Sequence, residues 1–155
     1  MASTQHANRT LLDEPLVLAG RPVRNRVAHA SMSTYMADQG RITERLVRYY
    51  ANRARGGAGL VVTEPLAMAP HQKASSRPRL FGGEQLDAYA RLADAVESHD
   101  CRLLGQVQDQ GRARHEAGRT LDAIGASRLP DDLSWSMPRE LSASDIRQLI
   151  DDFAQ

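Results

Sequence analysis

Cysteine occurs once in the 155 residues, at Cys101. No disulfide can form within such a chain, and a reducing, cytoplasmic setting is the simplest expectation. An excess of one charge is also lacking: the formal net charge is +1. That removes the electrostatic case for nucleic acid or an anionic membrane as the main partner. No run approaches the roughly 20 apolar residues of a membrane span. Residues 1–10 are polar and lack the apolar core of a secretory signal, so they are expected to form a mobile tail. His71, His99 and His115 stand at no metal-ligand spacing to a cysteine or glutamate, and no metal is expected. Ser127 and Ser134 lack the partners of a catalytic nucleophile. Internal repeats and low-complexity tracts are absent.

What is present suits one globular domain: 41% of the residues are hydrophobic and 25% charged, enough apolar side chain for a core. Leu16-Val17-Leu18 and Val23 flank Ala19-Gly20-Arg21-Pro22, which predicts a small hairpin. Asn25-Arg26-Val27-Ala28-His29-Ala30-Ser31-Met32 reads as a buried strand. Ile42, Leu46, Tyr49, Tyr50 and Ala54 recur at helical spacing, with Thr43 as a possible N-cap and Gly56-Gly57 as the stop. The predicted helix covers 42–55. Gly59-Leu60-Val61-Val62-Thr63 is apolar without alternation, as in a strand covered on both faces of a parallel sheet.

Residues 65–83 read as a long loop. A second helix is predicted over 84–99, with Leu86, Tyr89, Ala90, Ala93 and Val96 as its apolar stripe. Leu103-Leu104-Gly105-Gln106-Val107 reads as a third strand. The glycines, prolines and charges of 108–141 argue against regular structure. A last helix opens at Ser142-Ala143-Ser144-Asp145, a capping-box pattern, and continues with Ile146, Leu149, Ile150 and Phe153 at i, i+3, i+4 and i+7. The order is a hairpin, then strand and helix three times. That implies an α/β fold with a parallel sheet, whose functional loops follow Met32, Glu64 and Val107. The pattern alone leaves an open sheet and a barrel equally available.

Four segments carry a resemblance. They are Asn25-Arg26-Val27 with Ala30-Ser31-Met32-Ser33-Thr34-Tyr35; Tyr49 through Glu64, ending Gly59-Leu60-Val61-Val62-Thr63-Glu64; Gly105-Gln106-Val107-Gln108-Asp109-Gln110-Gly111-Arg112; and Pro138-Arg139-Glu140-Leu141-Ser142 with Ile146 and Asp151-Asp152-Phe153-Ala154. Together, in this order, they resemble the Old Yellow Enzyme family of NADH:flavin oxidoreductases. The resemblance implies a (β/α)8 TIM barrel with FMN across the carboxyl ends of its strands. Residues 11–155 would be about its first three βα units, preceded by the hairpin.

The resemblance also implies roles. The family's Ala-Pro-Met-(Thr/Cys) segment lies along the flavin and matches Ala30, Ser31, Met32 and Ser33, with Ser31 in place of proline. Ser33 stands where a Thr or Cys tunes the flavin. Tyr35 resembles a substrate-pocket tyrosine. Pro65 stands where the backbone meets the flavin, and it has only a carbonyl to offer. Gln106 matches the glutamine that hydrogen-bonds the isoalloxazine, whose amide-like edge needs both donor and acceptor. Gln108 and Asp109 replace the common Trp-His. The family's substrate-activating His pair, its flavin Arg and its phosphate site correspond to nothing in these residues.

The implied activity is reduction of activated C=C bonds in α,β-unsaturated carbonyl compounds, with NAD(P)H as reductant. A second reading is an inactive fragment or assembly lobe, completed by a homo-oligomer or a complementing chain. A third is an unrelated α/β enzyme sharing only the strand-helix rhythm. Single features have plainer readings too. Arg53-Ala54-Arg55-Gly56-Gly57-Ala58-Gly59 follows a helix and precedes a strand, the reverse of a phosphate loop, so its glycines are read as cap and turn. His29 reads as a satisfied core histidine, Cys101 as inert. Met32 reads as either core or cofactor contact. Arg112, Arg114, His115 and Arg119 form a basic loop, either solvated or near a nicotinamide pyrophosphate.

Overall fold

A computed structural model describes residues 10–68, 76–113, 123–132 and 135–154. The expected tail lies, apart from Thr10, outside the described residues. The hairpin forms as expected from β1 (Leu16–Leu18) and β2 (Arg21–Val23), antiparallel with Leu16 opposite Val23. Ala19 and Gly20 both adopt positive φ, 46° and 76°. Such a turn matches the twist of the strands it joins.

Three parallel strands follow in the order β3 (Ala28–His29), β4 (Leu60–Ala67), β5 (Arg102–Gln108). The first of these corrects the expectation of a buried strand over 25–32. Only two residues pair, and Ala28 is exposed. The physical reason is one-sidedness: β3 has β4 on one edge and no strand on the other among the described residues.

Between β3 and β4 runs α1 (Glu44–Arg55), and between β4 and β5 runs α2 (Leu86–Glu97). Thr43 is the N-cap of α1: its side chain accepts from the Leu46 N–H at 3.2 Å. Glu44 in the first turn and Arg53 and Arg55 in the last complement the helix dipole. Gly57, at φ 110°, carries the chain out of the helix in a conformation that side chains rarely adopt. One core joins Leu46, Val47, Tyr50 and Ala54 of α1 with Leu92 and Val96 of α2, Val61 of β4 and Cys101. Helix α2 buries the expected stripe in part, with Val96 in the core and Tyr89 packed against it. Leu86 is 72% exposed and Ala90 is exposed, whereas Leu92 and Val96 are buried and Ala88, Tyr89 and Ala95 pack beside them.

Strand β4 runs four residues past Thr63, into what reads as loop. A bulge makes this possible. Val62 pairs with Leu104 and Pro65 with Gln106, so three steps along β4 match two along β5. Residues 108–141 also hold more order than expected. A 3-10 turn spans Gly111–Ala113, and β6 (Ile124–Gly125) pairs in parallel with β7 (Arg139–Glu140).

The last helix, α3 (Ala143–Ala154), opens on the expected capping box. The Ser142 N–H donates to Asp145 Oδ2 at 2.7 Å, and the Asp145 N–H donates to Ser142 Oγ at 3.2 Å. Arg139 adds a bidentate contact, 2.7 and 3.0 Å. Hydrogen bonds from Arg139, then from Ser142, hold the Asp145 carboxyl far below the usual carboxylate range. A depressed folded-state pKa stabilises above the unfolded value, about 4, and the stabilisation is lost as pH falls further. The protection factors of amides at the start of α3 are therefore expected to hold above pH ~4 and to fall progressively below it. Asp145→Asn removes that acid dependence, as pH-resolved exchange will show.

Candidate functional site at the carboxyl ends of the strands

Register assigns each strand residue to a face of the sheet. His29 pairs with Val61, and Val61 pairs with Leu103. Val61 belongs to the helix-facing core and Leu103 packs against it. By alternation, Ala30 after β3 and Leu104 and Gln106 on β5 lie on the opposite face. Pro65 would face the helices in an unbroken β4. The extra residue of the bulge puts it opposite Gln106 instead. Bulges commonly re-aim a side chain in this way beside functional sites.

The bulge has its own hydrogen bonding. Gln106 N–H donates to Thr63 Oγ1 at 3.1 Å, and the Thr63 hydroxyl donates to the Glu64 carbonyl at 2.9 Å. The Glu64 N–H donates to the Tyr50 hydroxyl at 2.6 Å. Proline is tolerated next because the irregular ladder asks no N–H of residue 65. The Glu64 carboxylate reaches across to the loop after β3. It accepts from Thr34 Oγ1 at 2.6 Å, Thr34 N at 3.0 Å and Tyr35 N at 3.4 Å.

The structure thus brings the expected residues to one end of the sheet. Pro65 and Gln106 are cross-strand partners, both half-buried. Ser31 is half-buried, and Ala30 and Ser33 are exposed. Met32 is 60% exposed among the described residues. Tyr35 is equally exposed and held at φ 54°, a left-handed conformation uncommon for a bulky residue. Thr63 and Glu64 stand in one of the four family-like segments, and the sequence alone assigns neither a role. The available signal was a glutamate interrupting an apolar run, which burial permits only with partners.

His29, expected as a satisfied core histidine, is half-buried and only partly satisfied, since its Nδ1 has no hydrogen-bond partner among the described residues. Its Nε2 lies 3.3 Å from the Tyr49 hydroxyl, and its ring meets Tyr49 and Tyr50 edge to face. Burial first, and then the Arg53 guanidinium, push its pKa below the ordinary value. Arg53 itself stacks 3.3 Å over the Tyr49 ring. Cys101 is buried, and that burial pushes its thiol pKa up, so it is a poor nucleophile. Asp109, in the place of the family's histidine, accepts from Gly111 N at 2.6 Å and shapes the turn after β5. Arg112 donates to the Pro130 carbonyl. Arg114, His115 and Arg119 of the basic loop lie outside the described residues, as do His71 and Ser134. Among the described residues no cluster of metal ligands occurs, and no helix is long and apolar enough to cross a membrane.

A groove of about 370 Å³, lined by Leu18, Arg21, Val23, Leu60, Arg102 and Leu104, lies at the other end of the strands. The carboxyl end is different in chemistry. Gln106 makes no side-chain hydrogen bond among the described residues, although it is half-buried beside Pro65. Its amide offers a donor and an acceptor toward the face opposite the helices, next to the small side chain of Ala30. This set fits a flat ligand with an amide-like edge, as a flavin ring has.

The sequence pattern of the NADH:flavin oxidoreductase / NADH oxidase family matches residues 12–155, and the chain belongs to that FMN-dependent family. It is 29% identical over 146 residues to a metal reductase of Desulforamulus reducens, covering 94% of this chain and 22% of that protein. It is 31% identical over 136 residues to an NADH oxidase of Thermoanaerobacter brockii, covering 84% and 21%. The Old Yellow Enzyme of a Pichia species superposes with a TM-score of 0.81 at 19% identity, over 93% of this chain and 41% of that one. The chain therefore spans well under half the length of these relatives. Its parallel strands and covering helices are the opening portion of their (β/α)8 barrel, and no closed barrel forms among the described residues.

Proposed function

We propose that this chain contributes the first strand ends of the flavin site in an NAD(P)H-dependent ene-reductase. Its substrates would be small α,β-unsaturated carbonyl compounds, and its setting cytoplasmic. The observation that carries the reading is the bulge in β4, which pairs Pro65 with Gln106 on the face opposite the helices. FMN, when bound, supplies hydride transfer from the nicotinamide to the alkene. The protein's part is to hold and orient. Gln106 offers its amide to the ring edge, Pro65 its carbonyl, and Ala30, Ser31 and Met32 a strip of small and flexible contact surface. Ser33 places a hydroxyl where it can hydrogen-bond near the reactive edge, and Tyr35 faces the substrate. Groups that polarise the substrate carbonyl would come from outside these residues.

Gln106→Ala tests this. Titrating FMN with the purified protein is expected to show saturable quenching of flavin fluorescence, with affinity about tenfold weaker in the variant, the loss of roughly one well-placed hydrogen bond. Equal affinity would remove Gln106 from the site. Absence of binding in both would favour the second reading, a lobe that needs a partner to complete the barrel.

One observation favours that second reading. Ile146, Ile150 and Phe153 of α3 are 48%, 62% and 44% exposed, and Leu104 is 45% exposed on the face opposite the helices. Apolar surface of this kind is normally covered. Native mass measurement across concentration distinguishes a monomer from a homo-oligomer.

A further inference from the structure

We propose that Glu64 is a positioning residue: its carboxylate fixes Ser33 and Tyr35 relative to the Pro65–Gln106 pair without touching cofactor or substrate itself. The assignment of what it positions rests on the flavin reading above. Glu64 is fully buried, at 0% exposure. A carboxylate in that position costs several kcal/mol unless hydrogen bonds offset the lost water. Among the described residues its three donors come from two consecutive residues, Thr34 and Tyr35, some 30 positions earlier in the chain.

Glu64 lies outside the apolar cluster between α1, α2 and the sheet. What the carboxylate does is clamp an otherwise irregular loop. Residues 30–37 have no regular structure. Thr34 is held by Glu64 and passes the constraint on, since Thr34 Oγ1 accepts from Met36 N at 3.2 Å and the Met36 carbonyl accepts from Thr43 Oγ1 at 2.7 Å. Tyr35, between the two fixed points, is forced outward at φ 54°. Left-handed backbone at a side chain of this size costs about 1–2 kcal/mol and persists only where surroundings impose it. Ser33 directly precedes the clamp.

At its backbone end Glu64 is anchored by Tyr50, and its neighbours in sequence are Thr63, bonded to Gln106, and Pro65, paired with Gln106. One side chain thus joins the loop after β3 to the ends of β4 and β5. The positions of the cofactor-tuning hydroxyl and of the substrate-side tyrosine then depend on the same carboxylate that sits in the bulge.

The experiment compares the unmodified protein with Glu64→Gln and with Thr34→Val, which removes the shortest clamp bond without altering the core. Amide exchange is followed by mass spectrometry without ligand, and FMN affinity and the bound flavin's reduction potential are measured separately. In both variants exchange across 30–36 is expected to speed up about tenfold while β5 stays protected. FMN affinity is expected to fall by a similar factor and the flavin potential to move. Exchange rising equally throughout the sheet would show a purely structural glutamate and overturn the proposal. So would unchanged exchange at 30–36 in both variants. If the loop loosens locally but the unmodified protein binds no FMN, the flavin reading fails while the clamp itself stands.

Discussion

Gly59→Ala is expected to lower the melting temperature by about 10 °C, from a destabilisation of about 3 kcal/mol. Gly59 lies where β3 and β4 begin to pair: its N–H donates to the Val27 carbonyl at 2.9 Å, and its own carbonyl accepts from Arg102 N at 2.9 Å. An added Cβ would stand 2.9 Å from the Asn25 carbonyl oxygen and closer still to Asn25 Oδ1. The side chain cannot simply swing away, because Asn25 Oδ1 accepts from Val27 N and its Nδ2 donates to the Gly57 carbonyl at 2.8 Å. Nor can the backbone retreat without opening the short β3–β4 pairing. The strain therefore falls on the strand that leads into residues 30–33. Thermal unfolding by circular dichroism measures the loss, and Gly20→Ala is the control. No atom lies within 4 Å of a Cβ at Gly20, so only its positive φ is strained and a smaller shift of about 1 kcal/mol is expected.

Much of the fold could be read from local signals because those signals act over one turn or one strand. Thr43 caps α1 and Ser142 with Asp145 caps α3 as the sequence suggests, since a cap needs only residues three apart. The apolar runs at 59–63 and 103–107 are strands for the same local reason. The stripe of α2 was legible only in part: Tyr89 and Val96 lie on it, while Leu86 and Ala90 do not. Alanines at 88, 90, 93 and 95 place small apolar groups all round the helix, so only contact with α1 and β5 decides which side is buried, and Leu92 settles it. The bulge was equally hidden. It depends on how Val62 and Pro65 match Leu104 and Gln106 across two strands, information that neither segment carries alone.

The candidate site divides in the same way. Gln106, Pro65 and residues 30–33 could be proposed because the family resemblance attaches to short motifs. The shared face of Pro65 and Gln106 could not, since without the bulge Pro65 would point toward the helices. Glu64, Thr34 and Tyr50 act through contacts spanning 14 to 30 positions in the chain. Such contacts leave no periodic trace. A buried glutamate is only a hint that distant donors must exist.

Tyr50 is where core and site meet, and its two halves can be separated by substitution. The ring is 1% exposed and packs edge to face on Tyr49 at 5.2 Å and on His29 at 6.1 Å. Its hydroxyl accepts the Glu64 N–H at 2.6 Å, and burial pushes the phenol pKa well above its ordinary value. Tyr50→Phe keeps the ring and orphans a buried backbone N–H in the bulge, at a cost of about 2 kcal/mol. Tyr50→Ala adds a cavity among Leu46, Val61 and Leu92 and is expected to cost about 4–5 kcal/mol in all. Urea unfolding gives both values. The informative comparison is with amide exchange in β4. Tyr50→Phe should release the bulge amides while the α1–α2 contact stays protected, and Tyr50→Ala should release both. If Phe instead proves neutral and β4 remains protected, the Glu64 N–H has found another acceptor, and the hydroxyl does not hold the bulge in place.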